Sequence, residues 1–537
     1  MDNIIREEYV TTRDGTKLYT EVVIPGEGGK FPVIVERHPY VSTPIEADYY
    51  RKKDFRGYVH IFQHCRGAGM SEGEFLPYQT EETDGLDLLD WIRKQDFYNG
   101  EIYLAGSSYG STVHISYMRH NPPDVKAMLI WVQDCERYNI VYRNGFYKIG
   151  LTGDWCLAQL LRKTVKKRSY IKSETFRTMP LSGISESVFG RRIDYFEEEL
   201  VHPDKNDPYW QTPAGGSEYR NIMQKCNVPI LLLTGFYDIY TEGVFDMWES
   251  IPADRKNLHA MIVTPYEHNF NHTGVRDPEN YPNFTNGRIR DLYPEIEYDW
   301  FDYHRLGTPF RPVDKGKMMY YTLFENQWHT AEHLQDSPDE ELFYLTADRQ
   351  LAASAPSEKN EITYVYNPFV PATFQGGVCN NFGGMQFQDP PDSRYDIISF
   401  HTEPFTEQRI CNGRIRMKLQ VKTTAPDTCF YVRLSLVRKD GTALALRDDI
   451  DSVLRTNPDY QSGGVAEIEY QFAPHSFMIR EEERLRLDVS SSCFPHFHIH
   501  TNRKGIQTLQ TGADIAKNTI ITGESVLRVY TEKLKTK

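Results

Sequence analysis

The sequence predicts an α/β domain, interrupted by a helical insertion and followed by an antiparallel β-sandwich. Three observations carry that prediction: short apolar runs alternate with helix-period segments up to Val263, the rhythm breaks between 133 and 226, and period-two alternation takes over after 312. Buried runs separated by amphipathic helices are what a mostly parallel sheet with both faces covered requires. Period-two alternation belongs instead to strands with one face in a core and one in water.

In chain order, the first runs are Val33-Ile34-Val35 and Val59-His60-Ile61-Phe62. Leu88, Leu89 and Ile92 then recur at helical spacing, after which Ile102-Tyr103-Leu104 and Met128-Leu129-Ile130-Trp131-Val132 restore the strand pattern. The stretch 133–226 is aromatic and charged, with helical patches and few strand-like runs, and reads as an inserted helical cap. Strand signals resume at 228–233 and 258–263. Beyond 312, Met318–Thr322 and the segments 414–421, 430–437 and 485–489 alternate between turn clusters of Gly, Pro, Asn and Asp, the sign of a sandwich. The expected division is 1–132 with 227–311 for the α/β domain, 133–226 for the cap and 312–537 for the β-domain.

At 537 residues the chain has room for roughly two or three domains. Hydrophobic residues at 39% against 25% charged give a globular profile and exclude a disordered chain. A net charge of -14 argues against nucleic acid as a partner, since a phosphate backbone needs a clustered positive surface. The one basic cluster, Arg162-Lys163 with Lys166-Lys167-Arg168, reads as a solvated helix face. The start lacks a basic region followed by an apolar one, and no run has the length of a membrane span, so a cytoplasmic location and no membrane partner are expected. Eight cysteines stand singly, which fits reduced thiols. His498 and His500 lack an identifiable third ligand and are assigned to a surface or loop, so neither a metal nor a cofactor is expected. The remaining partner is a small ester or amide, and a homodimer stays open.

Leu104 leads directly into Ala105-Gly106-Ser107-Ser108-Tyr109-Gly110, a G-x-S-x-G sequence at the end of a strand. A sharp strand-to-helix turn pushes the central serine out with its hydroxyl exposed, which makes Ser108 a candidate nucleophile. Such a serine attacks only when a base takes its proton and an acid holds that base. In α/β-hydrolases the three follow in the order Ser, Asp/Glu, His, each after a strand. The run ending Leu233-Thr234 enters Gly235-Phe236-Tyr237-Asp238, and the run ending Val263-Thr264 enters Pro265-Tyr266-Glu267-His268. Asp238 and His268 fit this order, with His272 the weaker rival for the base. An oxyanion hole is also required. One donor is the backbone N–H of Tyr109. No Gly-rich loop follows the first strand, where the chain reads His38-Pro39-Tyr40, so Tyr40 is either the second donor or a structural tyrosine.

These residues resemble the cocaine-esterase group of acyl esterases, which includes X-prolyl dipeptidyl peptidases and α-amino acid ester hydrolases. The resemblance spans most of the chain and rests on Arg37-His38-Pro39-Tyr40, the segments 63–73 and 106–110, Asp84-Gly85 with Asp90-Trp91-Ile92, Gly235-Phe236-Tyr237-Asp238, Trp300-Phe301-Asp302 and the segment 488–492. It implies an α/β-hydrolase domain, a helical cap between nucleophile and acid, a jelly-roll-like C-terminal domain, and an oxyanion hole formed by Tyr40 and Tyr109. Two departures bear on the substrate. Ile239-Tyr240-Thr241 follows Asp238 where α-amino acid ester hydrolases carry carboxylates for an ammonium, with Glu242 only at the fourth place, and no N-terminal element for a free amine precedes the first strand. A simple ester or amide therefore fits better. Glu267 also stands where the family has serine, next to the base. Tyr138, Phe146, Trp155 and Tyr240 are the expected substrate contacts, from the cap and the loop after the acid. The function expected is a serine hydrolase cleaving carboxylic esters through an acyl-enzyme. The alternatives are an amidase or X-Pro peptidase on the same residues, and a binding protein on a disabled hydrolase fold.

Overall fold

The computed structural model describes residues 2–40, 44–161, 173–213, 215–268, 287–378 and 383–534. A ten-stranded sheet organises the first part of the chain. Its strands are β1 (Ile4–Thr11), β2 (Lys17–Ile24), β3 (Phe31–His38), β4 (Val59–His64), β5 (Tyr98–Leu104), β6 (Val125–Trp131), β7 (Ile230–Tyr237), β8 (Ala260–Glu267), β9 (Met318–Thr322) and β10 (Gln327–Ala331), in the spatial order β1-β2-β4-β3-β5-β6-β7-β8-β9-β10. From β4 to β9 every pairing is parallel, and only the outer strands β1, β2 and β10 run antiparallel to their neighbours. The chain leaves β3 to one side for β4 and returns to its other side for β5. That reversal opens a crevice beyond the carboxyl ends of β3 and β5, where α/β sheets bind ligands.

Both faces of the sheet are covered, which explains why β7 and β8 are buried at every residue instead of alternating. Val33, Val35, Ile102 and Leu104 face one core with helices α1 (Glu81–Ile92), α2 (Tyr109–Met118) and α3 (Thr241–Glu249). Ile34, Tyr103 and Leu129 face the other core with Trp300 and Phe301 of α4 (Ile296–Leu306). Tyr117 packs on Gly85 so closely that a Cβ there would meet its ring at 2.3 Å, which seats α1 against α2.

Between β6 and β7 the chain forms short helices at Arg137–Val141, Asp154–Leu161, Ile184–Phe189, Asp194–Glu199 and Ile222–Lys225. They have a core of their own, with Tyr142, Tyr147, Leu157, Phe196, Leu200 and Trp210 in it. The basic cluster at 162–168 lies outside the described residues.

In the C-terminal part the strands pair antiparallel, and among the described residues they form one nine-stranded and one four-stranded sheet. One expectation is corrected here. Met318–Thr322, assigned by its pattern to the β-domain beginning at 312, is strand β9 and extends the central sheet in parallel register with β8. Its five residues are all buried, and an apolar run of that length does not encode which sheet it joins. Just beyond it, Leu323 N–H donates to Ser476 O at 3.0 Å, and Met478 N–H to Leu323 O at 2.8 Å, so the two parts are joined at this strand. His498 and His500 lie in a loop but are buried: His498 Nδ1 accepts from Tyr147 N–H at 2.9 Å, and His500 Nε2 faces Asp427 at 3.3 Å. No helix among the described residues is long and apolar enough to cross a membrane.

Candidate active site

Ser108 sits between β5 and α2 at φ 56°, ψ -131°, a conformation that costs a non-glycine residue on the order of 1–3 kcal/mol. The surroundings enforce it. A Cβ on Gly106 would lie 2.2 Å from Gly110 O, so the turn closes only on glycine, and Ser108 N–H donates to Trp131 O at 2.8 Å, tying the turn to β6. The Ser108 hydroxyl thereby stands at the carboxyl edge of the sheet, above the first free amides of α2.

Two other strand ends bring their side chains to it. His268 follows β8, and its Nε2 lies 2.9 Å from Ser108 Oγ. Asp238 follows β7, and its Oδ1 lies 2.9 Å from His268 Nδ1. A carboxylate only accepts, so Nδ1–H donates to Asp238 and the Nε2 lone pair is left for the serine hydroxyl. Asp238 is wholly buried, and Thr234 Oγ1 donates to its Oδ2 at 2.8 Å while Tyr240 N–H donates to its Oδ1 at 3.3 Å. Beside this set, burial pushes the Glu267 carboxyl up to about 7, with the His268 imidazole pulling against it and Asp238 adding to it.

Tyr40, just past β3, donates its hydroxyl to Ser108 Oγ at 3.4 Å. The Tyr109 N–H follows Ser108 directly. The Tyr109 ring is locked beneath it: its hydroxyl donates to Glu81 at 2.5 Å and accepts from Tyr78 N–H at 2.8 Å. Glu81 is itself buried 3.9 Å from the Arg37 guanidinium, which reaches Gln63 and the Glu81 carbonyl as well. Sequence reasoning missed this support, although Arg37 interrupting an apolar strand was a visible signal.

Ser108, His268 and Tyr40 open onto a cleft with about 460 Å³ of empty space, counting its mouth. Trp155 and Tyr240 line it. The Trp155 ring stacks on Tyr109 at 5.2 Å, and Tyr240 sets its edge against His268 at 5.5 Å. Tyr138 and Phe146 do not line it, and both expectations are corrected. Tyr138 spends its hydroxyl on Pro203 O at 2.8 Å and Gly145 N–H at 3.0 Å, and lines a different cavity. Phe146 stacks on His498 at 5.2 Å among Phe374 and Tyr431 of the C-terminal part. An aromatic residue of the insertion has its own core and a domain junction to fill besides the cleft. Glu242 also stands apart, paired with Arg143 and, at 3.4 Å, with Arg414. His272 lies outside the described residues. Tyr78, Gln133, Arg137 and Glu199 line the cleft without having been expected there.

A strained serine, an imidazole and a buried carboxylate in series at the edge of a parallel sheet define a serine hydrolase. Comparison with known proteins agrees. Residues 14–269 match the X-Pro dipeptidyl-peptidase (S15 family) model, and residues 313–527 match the X-Pro dipeptidyl-peptidase C-terminal non-catalytic domain. Both regions thus match models of X-Pro dipeptidyl-peptidase domains, and the chain resembles the cocaine-esterase group of serine hydrolases. It is 25% identical to the cocaine esterase of Rhodococcus sp. (strain MB1 Bresler), over 93% of this chain and 92% of that one. Among solved structures, an aminopeptidase from a marine sediment archaeon (Thaumarchaeota archaeon) shares the fold with a TM-score of 0.83 at 18% identity, covering 99% of this chain and 97% of that one. An α-amino acid ester hydrolase shares it at 0.81 and 19% identity, with the same coverage.

Proposed function

We propose that this chain is a cofactor-independent esterase in which Ser108 is the nucleophile, His268 the base and Asp238 the group that orients it. The observation that carries this reading is the series of two 2.9 Å contacts from Asp238 through His268 to a serine that also meets the Tyr40 hydroxyl. Ser108 Oγ attacks the ester carbonyl carbon as its proton passes to His268 Nε2, and the carbonyl electron pair moves onto oxygen. Tyr40 O–H and Tyr109 N–H donate to that oxyanion. Collapse expels the alcohol oxygen, which takes the proton from His268, and leaves an acyl ester on Ser108. Water then adds with His268 again as base, releasing the acid and restoring the serine.

An ester without a free α-amine fits best. Glu199 in the cleft is paired with Arg137, and Glu242 is held by Arg143 and Arg414, so neither offers an unpaired charge to an ammonium. The relative from Rhodococcus is named for an ester substrate. The amidase or X-Pro peptidase reading is favoured by the name of the matching family. We also propose that 133–226 is a cap over the cleft, that 312–537 apart from β9 and β10 forms a jelly-roll-like domain, and that the enzyme acts in the cytoplasm on a small molecule. A homodimer is an assembly to test by light scattering. The deciding experiment is turnover of nitrophenyl esters of graded acyl size, alongside an X-Pro nitroanilide, by the wild type and Ser108→Ala. Turnover of esters alone, lost in the variant, is expected. Preferential release from the anilide would move the assignment to a peptidase, and ester turnover surviving Ser108→Ala would overturn it.

A further inference from the structure

Three buried polar side chains that the hydrolytic steps do not use line the same cleft as Ser108. Arg137 and Glu199, 3% and 0% exposed, form an ion pair there, and Gln133 is 1% exposed. The Arg137 guanidinium lies 3.5 Å over the Tyr78 ring, which also meets Tyr109 at 5.1 Å, so the pair stands on the wall continuous with the serine turn. Arg137 Nε and Nη1, Glu199 Oε2 and Gln133 Oε1 are shut from solvent without a hydrogen-bond partner among the described residues. Leaving buried donors and acceptors unpaired is costly, and an ion pair of this kind stabilises a fold no better than a well-packed apolar pair. What these atoms are suited to is a ligand in the cleft.

Charge decides which ligand. The pair is neutral as a unit, so a carboxylate or ammonium added beside it would leave a net buried charge. An uncharged group that both accepts and donates would satisfy both sides at once. Resting on the esterase reading, we infer that the cleft selects esters bearing a hydroxyl or carboxamide away from the scissile bond. The oxygen of that group accepts from Arg137, and its O–H or N–H donates to Glu199 or Gln133.

The test compares ester tails of matched shape: isopropyl, carboxamide, carboxylate and ammonium. One series places the tail on the acyl side of nitrophenyl esters, and a second places it on the alcohol of acetyl esters followed by pH-stat, so the series that responds locates the group. In that series the wild type should favour carboxamide over isopropyl, carboxylate and ammonium by at least about tenfold in kcat/KM. In the double variant R137M/E199L the carboxamide-to-isopropyl ratio should fall to about one. Because it is a ratio, a loss of folded protein cannot imitate it. Glu199→Gln, which leaves the Arg137 cation unpaired, should instead shift the preference to the carboxylate tail. A wild type indifferent to the tail, a wild-type preference for a charged tail, or a carboxamide preference surviving in the double variant would overturn the inference. Calorimetric binding of the matched acid products to Ser108→Ala gives the acyl-side ratio without turnover. Failure of the esterase reading and failure of this one are therefore separate results.

Discussion

Two walls of one cleft differ in how they are made. The edge where Ser108, Asp238 and His268 meet is set by backbone: a residue held at φ 56°, a glycine that no Cβ can replace, and the ends of the parallel strands β5, β7 and β8. The wall that carries Trp155, Arg137 and Glu199 is set by side chains on separate short helices that bury most of their surface in a core of their own. The edge follows once the sheet forms. The wall follows only from how the insertion packs. Bond breaking and substrate choice are thus separable, and substitutions at the edge should lower the rate on every substrate while substitutions at the wall redistribute preference.

The largest effect breaks the edge at its centre. Ser108→Ala should lower kcat on all esters by about 10⁴- to 10⁶-fold, with the melting transition unchanged, because the hydroxyl adds reactivity and no packing. Near wild-type turnover would remove Ser108 from the mechanism and with it the contrast. Tyr40→Phe comes next. Loss of one oxyanion donor should lower kcat by about 10- to 1000-fold with little change in KM. An unchanged kcat would leave the series from Asp238 to Ser108 intact and make Tyr40 a structural residue. Trp155→Ala addresses the wall and should mainly raise KM, by about tenfold for bulky acyl groups and less for acetyl, since it removes the ring stacked on Tyr109. Equal losses of kcat on every ester would mean that this wall also sets the edge.

The same contrast governs what could be read without coordinates. Ser108, Asp238 and His268 were legible because each directly follows an apolar strand, and parallel strands deliver their following loops to one edge. The two-sided burial of β7 and β8 was legible for the same reason, since an unbroken apolar run fits little else. Met318–Thr322 was not, because five buried residues do not say whether their partner strand is β8 or a strand of the C-terminal sheets. Trp155 and Tyr138 were indistinguishable as aromatics of the insertion. Only the tertiary fold gives one of them the cleft and the other the Pro203 carbonyl. Arg137 and Glu199 left no local signal at all: charged residues in a charged stretch are ordinarily solvated, and their meeting depends on two helices that are not neighbours in sequence.

Glu267 is the smallest test and the most diagnostic of where the edge ends, because it belongs to the edge by position and to neither wall by role. The residue is 7% exposed, and burial pushes its carboxyl up to about 7, against about 4.3 when unfolded. Between those values the folded state keeps a proton that the unfolded state has lost, so this group makes stability fall as pH rises, the reverse of a carboxylate in an ion pair. Glu267→Gln should therefore gain on the wild type, by about 2–3 kcal/mol, as urea unfolding is moved from about pH 5 to about pH 8. In activity the sign follows from charge. Above about pH 7 an ionised Glu267 adds negative charge beside His268, so its removal should move the acid limb of kcat/KM to lower pH by less than about one unit. A limb that stays in place while the stability difference appears would confine the electrostatics of the edge to Asp238, whereas a limb that moves would extend them one residue along β8.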